Sequence, residues 1–93
     1  MVYLDYCTRW SPRKRQKTCH MLADTVEELE EFARKIQLPI YWLQKHPIPY
    51  LTHFDLAASW RAIAIANGAV VFNSQYIVKR LKHQYEQTQN QEQ

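Results

Sequence analysis

Three of the chain's four prolines, Pro39, Pro47 and Pro49, fall in the stretch PIYWLQKHPIPYLT at residues 39–52. Proline has no amide donor and disfavours helix in the residue before it, so no long helix crosses this stretch. Regular structure must be assembled from shorter pieces on either side. Yet Ile40, Tyr41, Trp42, Leu43, Ile48, Tyr50 and Leu51 are too apolar for a plain surface loop. The pattern predicts a short helical turn at 40–44, then an extended loop packed on the body.

Before this divide, residues 2–6 alternate and include Val2, Tyr3 and Tyr6, a strand pattern. Residues 8–16 read as a polar, basic loop with a Ser11-Pro12 turn, and residues 17–23 as a second strand. Asp24 or Thr25 then caps a helix near 25–37, since Glu27 and Glu28 stand at capping-box spacing from them. Leu29, Phe32, Ala33 and Ile36 give that helix its apolar stripe. After the divide, Asp55 is expected to cap a helix over 55–67, closed by Asn67 and the only glycine, Gly68. AVVF at 69–72 reads as a third strand. Ser74 is expected to cap a last helix near 74–87, with Ile77, Val78, Leu81 and Tyr85 on one side. The predicted class is α/β in the α+β sense: a small three-stranded sheet flanked by three helices, in the order β-β-α-loop-α-β-α. Residues 1–88 form one compact domain and 89–93 a frayed polar tail.

Composition bounds the rest. With 46% hydrophobic residues in 93, the chain can build one modest core and is not disordered. No apolar run reaches the roughly 20 residues that span a bilayer, and MVYLDYCTRW lacks the continuous apolar stretch of a signal peptide. The expectation is a cytoplasmic protein with no membrane contact. Cys7 and Cys19, without a CxxC spacing, read as reduced thiols. Five of the twelve basic residues, Arg9, Arg13, Lys14, Arg15 and Lys17, cluster in nine positions, so the charge of +3 is local rather than spread.

The three aspartates occupy unusual places. Asp5 interrupts an apolar strand, Asp24 ends TCHMLAD, and Asp55 follows His53 by two residues. Side chains alternate across a strand, so Thr18, His20, Leu22 and Asp24 share one face of the second strand and Lys17, Cys19, Met21 and Ala23 the other. Cys19 and His20 thus point apart and make no nucleophilic pair. Asp5 lies near His20 if the first two strands pair in suitable register. If the first and third strands run parallel, Asp5 and Asn73 share a carboxyl edge, where ligands gather in open sheets. His46 and His83 read as surface residues.

These stretches resemble a family of small bacterial and phage-encoded proteins, the domain of unknown function numbered four thousand and thirty-one. The resemblance lies in the acid-ended strand VYLD, in TCHMLAD, in EELEEFA, in the His-aromatic-Asp turn HFD, in the arginine at position 61, in GAVV and in IVKRL. The chain departs from that pattern at Thr18, where the family has Trp, and at Cys19, where it has Ser. The resemblance implies continuity of fold and points at Asp5, His20, Asp24, His53, Asp55 and Arg61. It implies no reaction.

Three functions fit. The leading expectation is a module that binds a polar, nucleotide-derived ligand without turnover, as phage sponges sequester host signalling nucleotides. Its contacts would be Asp5, Arg9, Trp10, His20, Asp24, Trp42, Tyr50, His53, Asp55 and Arg61, with cations for phosphate and aromatics to stack a base. It needs no cofactor, and a second copy of the chain is a possible partner. No catalytic residue is assigned, because Ser59 and Ser74 have no base beside them in sequence. The second is a metal-dependent hydrolase or phosphoesterase in which His20, His53 and Asp55, with Asp5, hold a divalent ion. The third is nucleic-acid or protein binding through the basic loop 9–17, weakened by the lack of a second basic stripe.

Overall fold

The computed structural model describes residues 1–91 except Thr8 and Lys14, and gives only the backbone of Arg9, Asn90 and Gln91. Its elements in chain order are β1 (Val2–Leu4), β2 (Arg9–Ser11), β3 (Gln16–Ala23), α1 (Val26–Lys35), β4 (Phe54–Ala57), α2 (Ala58–Ala66), β5 (Val70–Val71) and α3 (Ser74–Gln91). Two single 3₁₀ turns, Ile40–Trp42 and Pro49–Leu51, lie in the proline-rich stretch.

The protein is α+β, as expected, but its mixed sheet has five strands rather than three. β3 is the axis. β1 and β2 pair antiparallel with its two halves along one edge, and β4 pairs antiparallel along the other. β5 runs parallel to β1, with Tyr3 opposite Val70. The additional strands replace two expected features. Part of the basic loop is β2, because Arg9, Trp10 and Ser11 face Thr18, Lys17 and Gln16. The expected helix start at Asp55 is β4, with Asp55 directly opposite His20. Asp55 therefore caps nothing, and α2 starts after Ala57 without any side-chain cap.

Strand alternation sorts the side chains into two layers. Val2, Leu4, Cys19, Met21, Phe54 and Leu56 face α1 and α2, meeting Leu29, Ala33 and Ala64 in the main core. Tyr3 and Leu22 face the other way and meet Ile77 and Leu81 of α3. α3 covers only part of that second face. The uncovered part carries His20, His53 and Asp55, and Asp5 is buried beside them against Ser74 at the start of α3.

Local chemistry sets the helix ends. Thr25, not Asp24, is the N-cap of α1, its hydroxyl accepting from the Glu28 amide at 3.1 Å. Thr25→Ala is expected to lower stability by about 1 kcal/mol, seen as a lower urea midpoint at unchanged slope. Gly68 follows α2 at φ 106°, a left-handed conformation that lets the Ala69 amide reach back to Ala64. At the start of α3, Asn73 does the capping expected of Ser74: its Oδ1 accepts from the Tyr76 amide at 2.8 Å. α3 runs from Ser74 to Gln91. Among the described residues no helix is long and apolar enough to cross a membrane.

Candidate metal centre

Asp5 is the foundation of the site. It is only 3% exposed, just past the end of β1. Its Oδ1 accepts from the His20 amide at 2.6 Å, and its Oδ2 accepts from His20 Nδ1 at 2.7 Å and from Ser74 Oγ at 2.9 Å. The Asp5 amide in turn donates to the His20 carbonyl, and Arg61 Nε donates to the Asp5 carbonyl at 3.4 Å. Burial alone would raise this carboxyl. The side-chain and backbone hydrogen bonds from His20, then the one from Ser74, outweigh it and hold Asp5 below the usual carboxylate range. Asp5 is thus an anion, and His20 Nδ1 is the donor.

His53 is fixed the same way by a different group. Its Nδ1 lies 2.8 Å from the Leu51 carbonyl, which can only accept, so Nδ1 carries the hydrogen. When the two rings are neutral, the lone pair of each is then on Nε2. Each Nε2 lies 3.6 Å from the same oxygen, Asp55 Oδ1. The rings meet edge to face with centroids 5.0 Å apart. The other carboxylate oxygen, Asp55 Oδ2, accepts from Gln44 Nε2 at 2.5 Å. Gln44 is positioned by backbone pairing with His53.

Three acceptors therefore converge: two imidazole lone pairs and a carboxylate oxygen, all within 4.8 Å of one another. Acceptors repel unless a proton or a cation sits among them. A divalent ion bound at 2.0–2.2 Å with tetrahedral angles would set its donors about 3.4 Å apart, close to the 3.6 Å seen here. Each donor is also held from behind, His20 by a carboxylate, His53 by a carbonyl and Asp55 by an amide. This is the outer-shell arrangement that orients metal ligands.

The cluster floors a groove along the open sheet face. On one side is a hollow of about 460 Å³, apolar along Leu22, Leu51, Ile77 and Val78, with His46 at its edge. His46 Nδ1 accepts from the Ile48 amide at 3.0 Å, so the neutral ring carries its hydrogen on Nε2. On the other side a hollow of about 410 Å³ holds Trp10, Thr18 and Gln44 with the three converging residues. It continues into one of about 560 Å³ bounded by Arg13, Tyr41 and Trp42.

Of the residues expected to bind ligand, Asp5, His20, His53 and Asp55 come together, with Arg61 behind Asp5 and Trp42 bordering the hollow beside Asp55; the pairing of Trp10 with Lys17 turns the Trp10 side chain to the opposite face of the sheet. Asp24 and Tyr50 do not join them. They border a separate hollow between α1 and α3, where Asp24 accepts from the Tyr3 hydroxyl at 2.6 Å. The side chain of Arg9 lies outside the described residues. Cys19 is in the core on the opposite face, as alternation required, and burial followed by the neighbouring Cys7 pushes its thiol up to about 12. Sequence reasoning missed Gln44, which no motif marks, and gave Ser74 the role of a cap. The signal for Ser74 was its place after β5, at the same carboxyl edge as Asp5.

No curated protein and no solved structure matches the chain. The model of a family described as protein of unknown function (DUF4031) matches residues 2–84. That span takes in every strand, the groove and all residues of the cluster, and the chain belongs to the DUF4031 family.

Proposed function

We propose that the protein is a divalent-metal-dependent hydrolase, with His20 Nε2, His53 Nε2 and Asp55 Oδ1 as the protein ligands. One observation carries this reading: both imidazoles are held in the tautomer that turns a lone pair toward the same carboxylate oxygen. Imidazole with carboxylate suits Zn²⁺, Fe²⁺ or Mn²⁺ better than Mg²⁺ or Ca²⁺. Three protein ligands, rather than four, are the hallmark of a site that keeps a position open for water or substrate. An ion there would bring a coordinated water to a pKa of about 7 and polarise a bound ester. The chain's own part is to orient the donors through Asp5, Leu51 and Gln44 and to shape the groove. This weighs against the sequestering module that the sequence alone favoured, for which no metal is needed.

The test begins with protein stripped by chelator and titrated with Zn²⁺ and Co²⁺. One ion per chain is expected, and Co²⁺ should show a visible absorption of low-symmetry coordination. Structural zinc binds with about 10–16 kcal/mol over four ligands, so His53→Ala or Asp55→Ala should each cost about a hundredfold or more in affinity. Hydrolysis of bis(4-nitrophenyl) phosphate should appear with metal and vanish with chelator. Undiminished binding in the Asp55→Ala variant would sink the assignment of ligands. Tight binding of metal with no turnover of any ester would return the case to sequestration.

A further inference from the structure

We infer that the hollow walled by Leu22, Leu51, Ile77 and Val78 is a specificity pocket for an uncharged, apolar arm of the substrate, an aromatic ring or a short alkyl chain. The inference rests on the metal reading and names its substrate class: an ester or amide with one apolar substituent. Its basis is the contrast between the two sides of the cluster. His20 and His53 line hollows on both sides, whereas Asp55 borders the hollows on the polar side. The two imidazoles are thus the partition, and a ligand on the ion would lie between an apolar space and a polar one. The apolar space measures about 460 Å³. Ligand pockets run from about 300 to 1,000 Å³, and a dry apolar cavity of about 150 Å³ already holds benzene.

The walls decide what enters. Leu22 and Ile77 are buried with Tyr3 and Leu81 in the second core cluster, so that part of the hollow is fixed. Val78, the next residue of α3, is 38% exposed and offers its methyl groups to a ligand. The polar groups that reach the hollow are engaged with one another. Ser74 gives its hydroxyl to Asp5, Asp5 also accepts from His20, and the Leu51 carbonyl accepts from His53 Nδ1. His46, exposed at the edge, has its Nδ1 on the Ile48 amide. Among the described residues that line the hollow there is no lysine or arginine, and Asp5 brings its one carboxylate. An anionic arm would meet that carboxylate and lose its water with no cation to offset either cost. An apolar arm gains by leaving water, about fourfold in affinity for each buried methylene. On the polar side the preference reverses, because Arg13 borders the hollow beside Asp55.

The experiment adds alkyl hydroxamates to the Co²⁺-loaded protein and follows the visible absorption of the ion. A hydroxamate chelates a metal with an open position and carries a tail of chosen length. Lengthening the tail from acetohydroxamate to hexanohydroxamate is expected to raise affinity by at least about thirtyfold, part of the full gain for burying the added methylenes. Adipic monohydroxamate has the same chain length but ends in a carboxylate, and should bind at least about tenfold more weakly than hexanohydroxamate. Val78→Asp places a charge on the wall of the hollow. It should abolish most of the gain with tail length while acetohydroxamate and Co²⁺ bind as before, because Val78 is not a metal ligand. The readout is binding, so an absence of ester turnover would bear on the hydrolase reading and not on the pocket. Affinity that is flat with tail length, an undiminished gain in Val78→Asp, or tighter binding of the carboxylate-tailed probe, each with Co²⁺ bound, would overturn the inference and leave the metal centre standing. Failure of Co²⁺ to bind would remove the metal reading and this inference with it.

Discussion

Asp5→Ala is expected to lose about 3–5 kcal/mol of folding stability, because each buried donor left without its acceptor costs about 1–3 kcal/mol. The carboxylate takes hydrogen bonds from the His20 amide, the His20 ring and the Ser74 hydroxyl while almost fully enclosed. Alanine would strand three donors, and a domain of this size has only about 5–15 kcal/mol in total. Urea unfolding at pH 7 measures the loss. Because this variant can fail to fold, Asp5→Asn is the companion: it keeps the shape and one acceptor but presents an amide donor to another donor. It should be destabilised by about 1–3 kcal/mol. The sign of the pH dependence follows from the lowered carboxyl. Asp5 contributes its stability fully above its unfolded pKa of about 3.9, and that contribution is lost as pH falls through the lower folded value. Asp5→Asn should therefore unfold with a flatter acid limb than wild type. A loss under 1 kcal/mol in both variants would show that the buried carboxylate is not what holds β1 to β3.

Phe54→Ala is expected to cost about 3–5 kcal/mol, the range for truncating a buried phenylalanine. Phe54 has no exposed surface and packs with Met21, Leu56 and the core residues of α1. It also stands between His53, just before β4, and Asp55 within it, and both of these neighbours point to the opposite face. A cavity beneath β4 would loosen both ligands at once. Metal affinity should therefore fall in this variant although no ligand is altered, by roughly the 10–100-fold typical of outer-shell changes. Calorimetric titration with Zn²⁺ under conditions where the variant remains folded would show it. Unchanged affinity would mean that the donors are held by their own hydrogen bonds alone.

The two faces of β3 were legible because period-two alternation is a backbone property. So were the nearness of Asp5 to His20 and the shared carboxyl edge of β1 and β5. β4 was not, for a physical reason. His53, Phe54, Asp55 and Leu56 do alternate between partly exposed and buried, but the alternation lasts one strand's width and runs directly into the alanine-rich α2. An aspartate before such a helix looks like a cap, and only the pairing across from His20 makes it a strand residue. β2 was hidden by the basic run around it, and β3 supplies the pairing. Gln44 could not be found locally, since its partner Asp55 is reached only through the bridge to His53. Ser74 shows the opposite case, a residue with a familiar local use whose hydroxyl is given to Asp5 instead.

The parallel pairing of β1 with β5 also has a kinetic meaning. It joins Tyr3 to Val70, whereas the β3–β4 pairing that assembles the ligands joins His20 to Asp55. The first loop is about twice as long as the second, and each doubling adds about 0.6 kcal/mol of closure entropy. A chain searching for its native contacts thus meets the shorter closure more readily, and the join between its distant ends sets the pace. The cluster that would hold an ion can be knit together while β1, and with it the Asp5 latch onto Ser74, has yet to dock against β5.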